Sequence, residues 1–134
     1  MPQYMIDTNT CIAIRRNRPK EVLERFQSLK VGDAVMSVIT LGELWFGVEK
    51  SGEPAHREAL ARLSSLIPAL PVDEQVAQAY GRVRADLERR GQKIGNNDLW
   101  IAAHALRLGA TVVTDNWREF DRVPGLAVEN WLAA

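Results

Sequence analysis

Short apolar runs separated by long helical stretches constrain the fold of this chain most strongly. Three runs have the composition of buried strands, each only three or four residues long: 4–6, 34–37 and 111–114. The intervals between them are too long for β-hairpins, whereas parallel strands need crossover connections of such length. The sequence therefore predicts an α/β fold with a short central, mainly parallel sheet flanked by helices.

Apolar residues at helical spacing fill these intervals. One helix is predicted to begin near Thr10, and further helices are predicted over 20–29, 38–50, 55–66, 73–90 and 99–108. Pro19 separates the first two helices, and Gly91 and Gly109 follow the last two. The stretches 67–72 and 126–129 predict two short additional strands.

Composition limits the class of protein. The 134 residues are 46% hydrophobic and 25% charged, which predicts one globular domain over 1–134. Basic and acidic residues number 17 each, so bulk charge does not favour a coat on nucleic acid or membrane, although local basic patches remain compatible. The single cysteine, Cys11, excludes an internal disulfide and fits a reducing cytoplasm. We expect no membrane span and no signal peptide.

Three acidic residues stand where a parallel sheet binds its ligands. Asp7 directly follows the first predicted strand, and Asp115 directly follows the strand 111–114. Asp98 opens a predicted helix. Because the carboxyl ends of parallel strands meet at one edge of the sheet, these side chains are candidates for a common site.

Glu43 differs because it lies inside a predicted helix. Its helical neighbours are Ile39, Phe46 and Gly47, and no basic residue stands three or four positions away. A carboxylate in apolar surroundings is expected to need a proton, a partner or a cation. The alternative is that this side of the helix faces water. One of Trp45 and Phe46 is expected in the core, and the other is a candidate contact for a partner.

Each acid at a strand or helix end also has a purely structural explanation. Asp7 and Asp98 could cap helices, and Asp115 could belong to an ordinary polar turn. Asn96 and Asn97 are expected to cap the helix instead of Asp98.

Taken together, clustered carboxylates would repel one another unless a cation lay between them, and oxygen ligands favour Mg²⁺ or Mn²⁺. Such a site suits phosphodiester hydrolysis.

Four segments of the chain resemble PIN-domain ribonucleases, in particular bacterial toxins of the VapC type. They are MIDTN at 5–9, SVITLGEL at 37–44, IGNNDLWIAAHA at 94–105 and VTDNWREFDRVPGL at 113–126. The resemblance implies a PIN-like fold and an Mg²⁺- or Mn²⁺-dependent endoribonuclease that blocks translation, with the anticodon loop of initiator tRNA as substrate. It also implies a homodimer and a cognate VapB-type antitoxin, through which the pair would bind operator DNA.

The resemblance further implies roles for individual residues. Asp7, Glu43 and Asp98 would form the acidic core. Asp7 and Asp98 would be the metal ligands, and Glu43 would hold a second cation or orient the attacking water. The family's fourth acidic position falls on Asn116, so either Asn116 or its neighbour Asp115 fills that position.

Residues around these acids are expected to support them. Thr8, Asn9 and Thr114 would tie the carboxylates in place. Three basic residues lie just upstream of Asp98 and are candidates to hold RNA phosphates, unless they merely form a solvated helix end: Arg89, Arg90 and Lys93. His104 is expected to be packed rather than catalytic.

Two other classes of function compete with a nuclease. A phosphoryl-accepting α/β module also places an aspartate after its first strand, although Asn9 stands where one class of phosphatase has a second aspartate. A non-catalytic, toxin-like subunit acting with its antitoxin on operator DNA would keep the acids without using them.

Overall fold

All strand pairings in the described part of this protein are parallel. The computed structural model describes residues 3–132, and within that range it has five strands: β1 (Tyr4–Ile6), β2 (Ala34–Ser37), β3 (Ala69–Leu70), β4 (Thr111–Val113) and β5 (Val128–Glu129). They form one sheet in the order β3-β2-β1-β4-β5. Strands β2 and β3 follow β1 on one side of the sheet, and β4 and β5 lie on the other side of β1. The order of strands therefore reverses between β1 and β4.

Helices connect the strands and cover the sheet. Between residues 3 and 132 there are seven: α1 (Thr8–Arg16), α2 (Lys20–Gln27), α3 (Val38–Ser51), α4 (Pro54–Leu66), α5 (Glu74–Arg89), α6 (Asn96–Leu108) and α7 (Trp117–Phe120). The predicted α/β class with a short parallel sheet is confirmed. Helix α1 begins two residues before the predicted position, because the Asp7 side chain caps it. Helix α7 was not predicted, since a single turn is too short to show periodicity.

Successive strand residues face opposite sides of the sheet, and each side has its own core. Met5, Val35 and Val112 pack with residues of α5 and α6. Ile6 and Val113 lie on the other side and pack with residues of α1, α2, α3 and α4. Both faces are buried, so the strands are continuous apolar runs rather than alternating ones. This explains why three or four apolar residues were enough to identify each central strand.

One assignment along α3 was wrong. Neither Trp45 nor Phe46 lies in the core, since their exposed fractions are 37% and 68%. Leu44 and Val48 take the buried positions instead. The helix presents Leu44 and Val48 to the sheet, which turns the two aromatic rings outward.

Among the described helices, none combines the length and the hydropathy that crossing a membrane requires.

Candidate active site

An acidic pocket opens at the carboxyl ends of β1 and β4. It has a volume of about 210 Å³ and is lined by Asp7, Thr8, Asn9, Glu43, Asp98, Ile101 and Asn116. This is the point at which the order of strands reverses, where open parallel sheets bind their ligands. Three carboxylates from distant parts of the sequence thus share one pocket.

Asp7 combines a structural role with a place in the pocket. Its Oδ1 accepts a hydrogen bond of 3.0 Å from the backbone N–H of Thr10, which caps α1. Burial raises the pKa of Asp7, while hydrogen bonding from Thr114 and Thr10 opposes the rise and the charge of Asp115 adds to it. The capping and site roles that the sequence left as alternatives are therefore compatible.

Glu43 reaches the pocket from the middle of α3. Its Oε1 accepts a hydrogen bond of 2.6 Å from the Thr8 hydroxyl, and its Oε2 accepts a long one of 3.4 Å from Asn97 Nδ2. The side chain is half-buried. Its position is thus intermediate between the apolar surroundings and the water-facing side of the helix that the sequence left as alternatives. Within residues 3–132 it forms no salt bridge. Neutral donors therefore fix the position of Glu43 and leave its charge uncompensated.

Asp98 experiences the strongest electrostatic perturbation in the pocket. Burial and the nearby Glu119 carboxylate raise the pKa of Asp98 to about 6, and a hydrogen bond from Asn116 only partly offsets this. The charges of Asp7 and Glu43 raise it further. Carboxylates that mutually oppose ionisation favour either a proton or a cation between them.

The start of α6 differs from its prediction. Gly95 occupies the N-cap without a side-chain hydrogen bond, and Asn96 and Asn97 are the first two helical residues. Asn96 Oδ1 accepts a hydrogen bond of 2.8 Å from the Tyr80 hydroxyl, while Asn97 donates to Glu43. The prediction that these asparagines cap the helix is wrong, because both side chains bind neighbouring helices instead.

Asn116, rather than Asp115, reaches the pocket. Asn116 Nδ2 donates hydrogen bonds to Asp98 Oδ2 at 3.1 Å and to Glu119 Oε2 at 2.6 Å. Asp115 is exposed, and its carboxylate accepts a long hydrogen bond of 3.3 Å from Asn9 Nδ2. The geometry therefore favours Asn116 for the fourth position of the site.

The three supporting residues contact the acidic groups or their neighbours. The Thr8 hydroxyl binds Glu43, and Asn9 binds Asp115. The Thr114 hydroxyl accepts a hydrogen bond of 2.9 Å from the backbone N–H of Asn116. These contacts link the start of α1 and the loop after β4 to the acidic groups.

Glu119 is a further acid beside the pocket that the sequence analysis missed. Its carboxylate accepts hydrogen bonds from the backbone N–H of Gly95 and from Asn116, and it raises the pKa of Asp98. The sequence feature that could have identified Glu119 is its position three residues after Asn116. That signal is weak, because it depends on recognising the single turn of α7.

The three basic candidates are not among the residues that line the acidic pocket. Arg90 donates to Asp86 at 3.0 Å and to the carbonyl of Arg122 at 2.8 Å, so it holds together two surface segments. Arg89 is exposed at the end of α5. Lys93 lines a neighbouring pocket, described below.

The donor atoms of the pocket suit a hard cation. They are the carboxylates of Asp7, Glu43 and Asp98 and the amide of Asn116. His104 is buried, as predicted, and its Nδ1 lies 2.9 Å from the Ser37 hydroxyl. Burial raises the pKa of the Cys11 thiol, which keeps it protonated. In the described part of the chain, no three acidic, histidine or cysteine side chains meet closely enough to form a ready-made metal cluster.

The PIN-domain family model matches residues 4–126 of this chain. The chain belongs to the PIN-domain family. This PIN domain is 42% identical to the tRNA(fMet)-specific endonuclease VapC of Salmonella typhimurium, over 98% of this chain and 99% of that protein. It is 40% identical to the ribonuclease VapC2 of Haemophilus influenzae, over 98% of this chain and all of that protein.

Solved structures give the same assignment. VapBC2 from Rickettsia felis, bound to a DNA fragment from its promoter, matches this PIN domain with a TM-score of 0.88 and 35% identity. That match covers 96% of this chain and 98% of the other. DNA-bound VapBC from Salmonella typhimurium matches with a TM-score of 0.84 and 42% identity, over 98% and 99% of the two chains. The resemblance identified from four sequence segments is therefore confirmed.

Proposed function

We propose that this PIN domain is an endoribonuclease that depends on Mg²⁺ or Mn²⁺ and acts as the toxin of a toxin–antitoxin pair. The observation that carries the proposal is that Asp7, Glu43 and Asp98 line one pocket at the reversal point of the sheet. The relatives described above are named ribonucleases, which supports the same reaction class.

Asp7 and Asp98 are the residues we expect to hold the ion. A bound divalent ion supplies charge neutralisation at the phosphate and lowers the pKa of a bound water. Asp7 is fixed by its bond to Thr10, and Asp98 is fixed by its bond to Asn116. The Thr8 hydroxyl donates a hydrogen bond to Oε1 of Glu43. Oε2 makes only a long contact with Asn97, so we expect this oxygen to orient the attacking water or to bind a second cation.

The proposed substrate is tRNA, and we expect cleavage in the anticodon loop of initiator tRNA. The support is the specificity named for the Salmonella typhimurium relative. Action on tRNA would place the protein in the cytoplasm, where a free cysteine such as Cys11 stays reduced.

A cognate antitoxin is the proposed partner, and an apolar groove beside the acidic pocket supports its place. The groove has a volume of about 630 Å³, and its apolar walls are Val38, Ile39 and Phe46. It also shares Thr8 and Glu43 with the acidic pocket, so a segment seated there would obstruct the site. Exposed apolar patches of this kind mark interaction surfaces.

Operator DNA would be contacted through the antitoxin, which fits the zero formal charge of this chain. The similar structures named above are VapBC assemblies bound to DNA, which supports such a complex. We further propose that the toxin is a homodimer, which light scattering of the purified chain and of its antitoxin complex would test.

Sequencing of RNA ends tests the proposed activity directly. The parent chain, expressed without its antitoxin, should generate new 5′ ends concentrated in tRNA anticodon loops. The Asp7→Asn variant should generate none, and Asp121→Asn, which changes an exposed acid outside the pocket, should match the parent. Absence of new ends from the parent, with Mg²⁺ and Mn²⁺ supplied, would favour the non-catalytic alternative.

A further inference from the structure

A second pocket lies next to the acidic pocket, at the start of α6. This lateral pocket has a volume of about 340 Å³, within the range of small-ligand sites. Its walls include Leu87, Ile94 and Leu99, together with two basic side chains, Arg84 and Lys93. An apolar floor with cations beside it suits a ligand that is part flat ring and part anion.

The first turn of α6 separates the two pockets. Asn96 lines the lateral pocket and Asp98 lines the acidic pocket. Their Cα atoms are only about 5.5 Å apart, from the radius and rise of an α-helix, and their side chains leave the helix on different sides. The two pockets therefore lie on different sides of the first turn of α6, and a single strand that crosses this turn would pass from one to the other.

The loop that forms one wall of the lateral pocket is held from the side of α7. The Lys93 carbonyl accepts a hydrogen bond of 2.8 Å from Arg122, and the Gly95 N–H donates to Glu119. Because these bonds fix the backbone of the loop, the side chains of Lys93 and Ile94 are positioned in the pocket wall. Hydrogen bonds therefore hold this wall of the lateral pocket in a defined position.

Polar groups at the pocket are also fixed before any ligand arrives. The Tyr80 hydroxyl donates to Asn96 at 2.8 Å and accepts from Arg84 at 3.0 Å. Arg84 Nε donates to Glu88 at 2.8 Å. Glu88 neutralises one cation, and Lys93 forms no salt bridge within residues 3–132. The lateral pocket thus has a net positive charge directly beside an acidic one.

We infer that the lateral pocket binds a nucleotide of the RNA substrate adjacent to the one whose phosphate lies at the acidic pocket. Lys93 and Arg84 contact its phosphate, and the base lies against Ile94, Leu87 and Leu99. The inference rests on the proposed nuclease function. An acidic peptide segment is the competing occupant, but the apolar side chains of Leu87, Ile94 and Leu99 favour a nucleotide base over acidic side chains.

Steady-state cleavage of a single-stranded oligoribonucleotide tests this inference. Lys93→Glu should raise KM about 10-fold or more with a smaller effect on kcat, because it removes a charge-assisted phosphate contact and adds repulsion. Lys93→Arg should restore most of the affinity. Ile94→Phe, which fills the pocket without changing its charge, should also raise KM. The matched control is Arg82→Ala, an exposed arginine on α5 outside the pocket wall.

Binding without cleavage separates this inference from the proposed function. Adenosine 5′-monophosphate is titrated into the metal-free parent chain, and the methyl resonances of Ile94 and Leu99 are followed by NMR. Shifts that Lys93→Glu weakens support the pocket, even for a parent chain that fails to cut RNA. A parent that cuts RNA, with KM unchanged in Lys93→Glu and Ile94→Phe, overturns the pocket alone. Shifts with an acidic peptide but not with the nucleotide overturn it as well.

Discussion

Asn116 donates its side-chain N–H to Asp98 at 3.1 Å, so the loop after β4 holds the acid at the start of α6. The same amide nitrogen contacts Glu119 at 2.6 Å. A neutral donor therefore stands between two carboxylates that would otherwise repel each other. This gives a physical reason why an asparagine would serve at a position where the family resemblance implies an acid.

Replacement of Asn116 by alanine should lower cleavage activity without abolishing it. The loss should be roughly 10-fold or more in kcat/KM, the usual cost of removing a group that orients a metal ligand. Asp115→Ala should stay within about twofold of the parent, because Asp115 is exposed and its carboxylate, within residues 3–132, accepts a side-chain hydrogen bond only from Asn9. Initial rates on a tRNA substrate provide the measurement. Equal losses in both variants would contradict the assignment of Asn116 to the fourth position.

Asp98→Asn should stabilise the metal-free protein while abolishing cleavage. The pKa of Asp98 is raised in the folded state to about 6, so its ionised form destabilises the fold. The sign follows from linkage: the penalty is absent below about pH 4, grows between pH 4 and 6, and is complete above that. We expect a gain on the order of 1 kcal/mol at pH 7.5 after allowing for solvent screening. Urea denaturation at pH 7.5 and pH 4 measures it, with Glu58→Gln as an exposed-acid control.

Divalent ions should stabilise the parent chain and not its acid variants. A ligand that binds only the folded state adds about 2.7 kcal/mol at 100 times its dissociation constant. Thermal denaturation with Mn²⁺ or with EDTA should therefore show a higher Tm with the ion for the parent. Asp7→Asn and Asp98→Asn should lose most of this shift. An equal rise in all three proteins would place the ion elsewhere.

His104 should make the fold sensitive to mild acid. Burial lowers the pKa of His104, an effect that the charge of Asp73 partly opposes. A histidine with a lowered folded-state pKa contributes its full stability above pH 6.5 and loses it as the pH falls below that value. The free energy of unfolding should fall less between pH 7.5 and 5.5 in His104→Gln than in the parent. His56→Gln, which replaces the other histidine at a partly exposed position, is the control for the substitution itself.

Phe46→Asp should weaken binding of the antitoxin. Phe46 is the most exposed ring on α3 and forms a wall of the groove that adjoins Glu43. Loss of a central aromatic anchor should reduce affinity at least roughly 10-fold. Leu108→Asp, at the opposite end of α6 from Asp98, is the control for a new surface charge. Isothermal titration with the purified antitoxin measures both, and unchanged affinity in Phe46→Asp would place the partner on another face.

Local signals were sufficient for the sheet and for part of the site. Asp7 and Asp98 stand out in the sequence because each immediately precedes or begins a helix at the ligand-binding edge. Glu43 was found from its apolar helical neighbours and from the family resemblance. These inferences need only the spacing of a few adjacent residues.

What could not be predicted depends on contacts between distant segments. The sequence does not show that Asn96 binds Tyr80 on α5, so the asparagine was assigned to a cap. Glu119 was missed because α7 is a single turn. One of Trp45 and Phe46 was wrongly expected in the core because periodicity alone does not fix how a helix is rotated against its sheet.

The side chains of the pocket come from distant parts of the sequence, since Asp7 follows the first strand and Asn116 follows the fourth. During synthesis, a ribosome-bound chain has Asp7 and Glu43 long before Asp98 and Asn116 emerge from the exit tunnel. Such a growing polypeptide has only half of the acidic pocket. The cleavage that we propose would therefore begin only after residues 98 and 116 have joined Asp7 and Glu43 in the folded pocket.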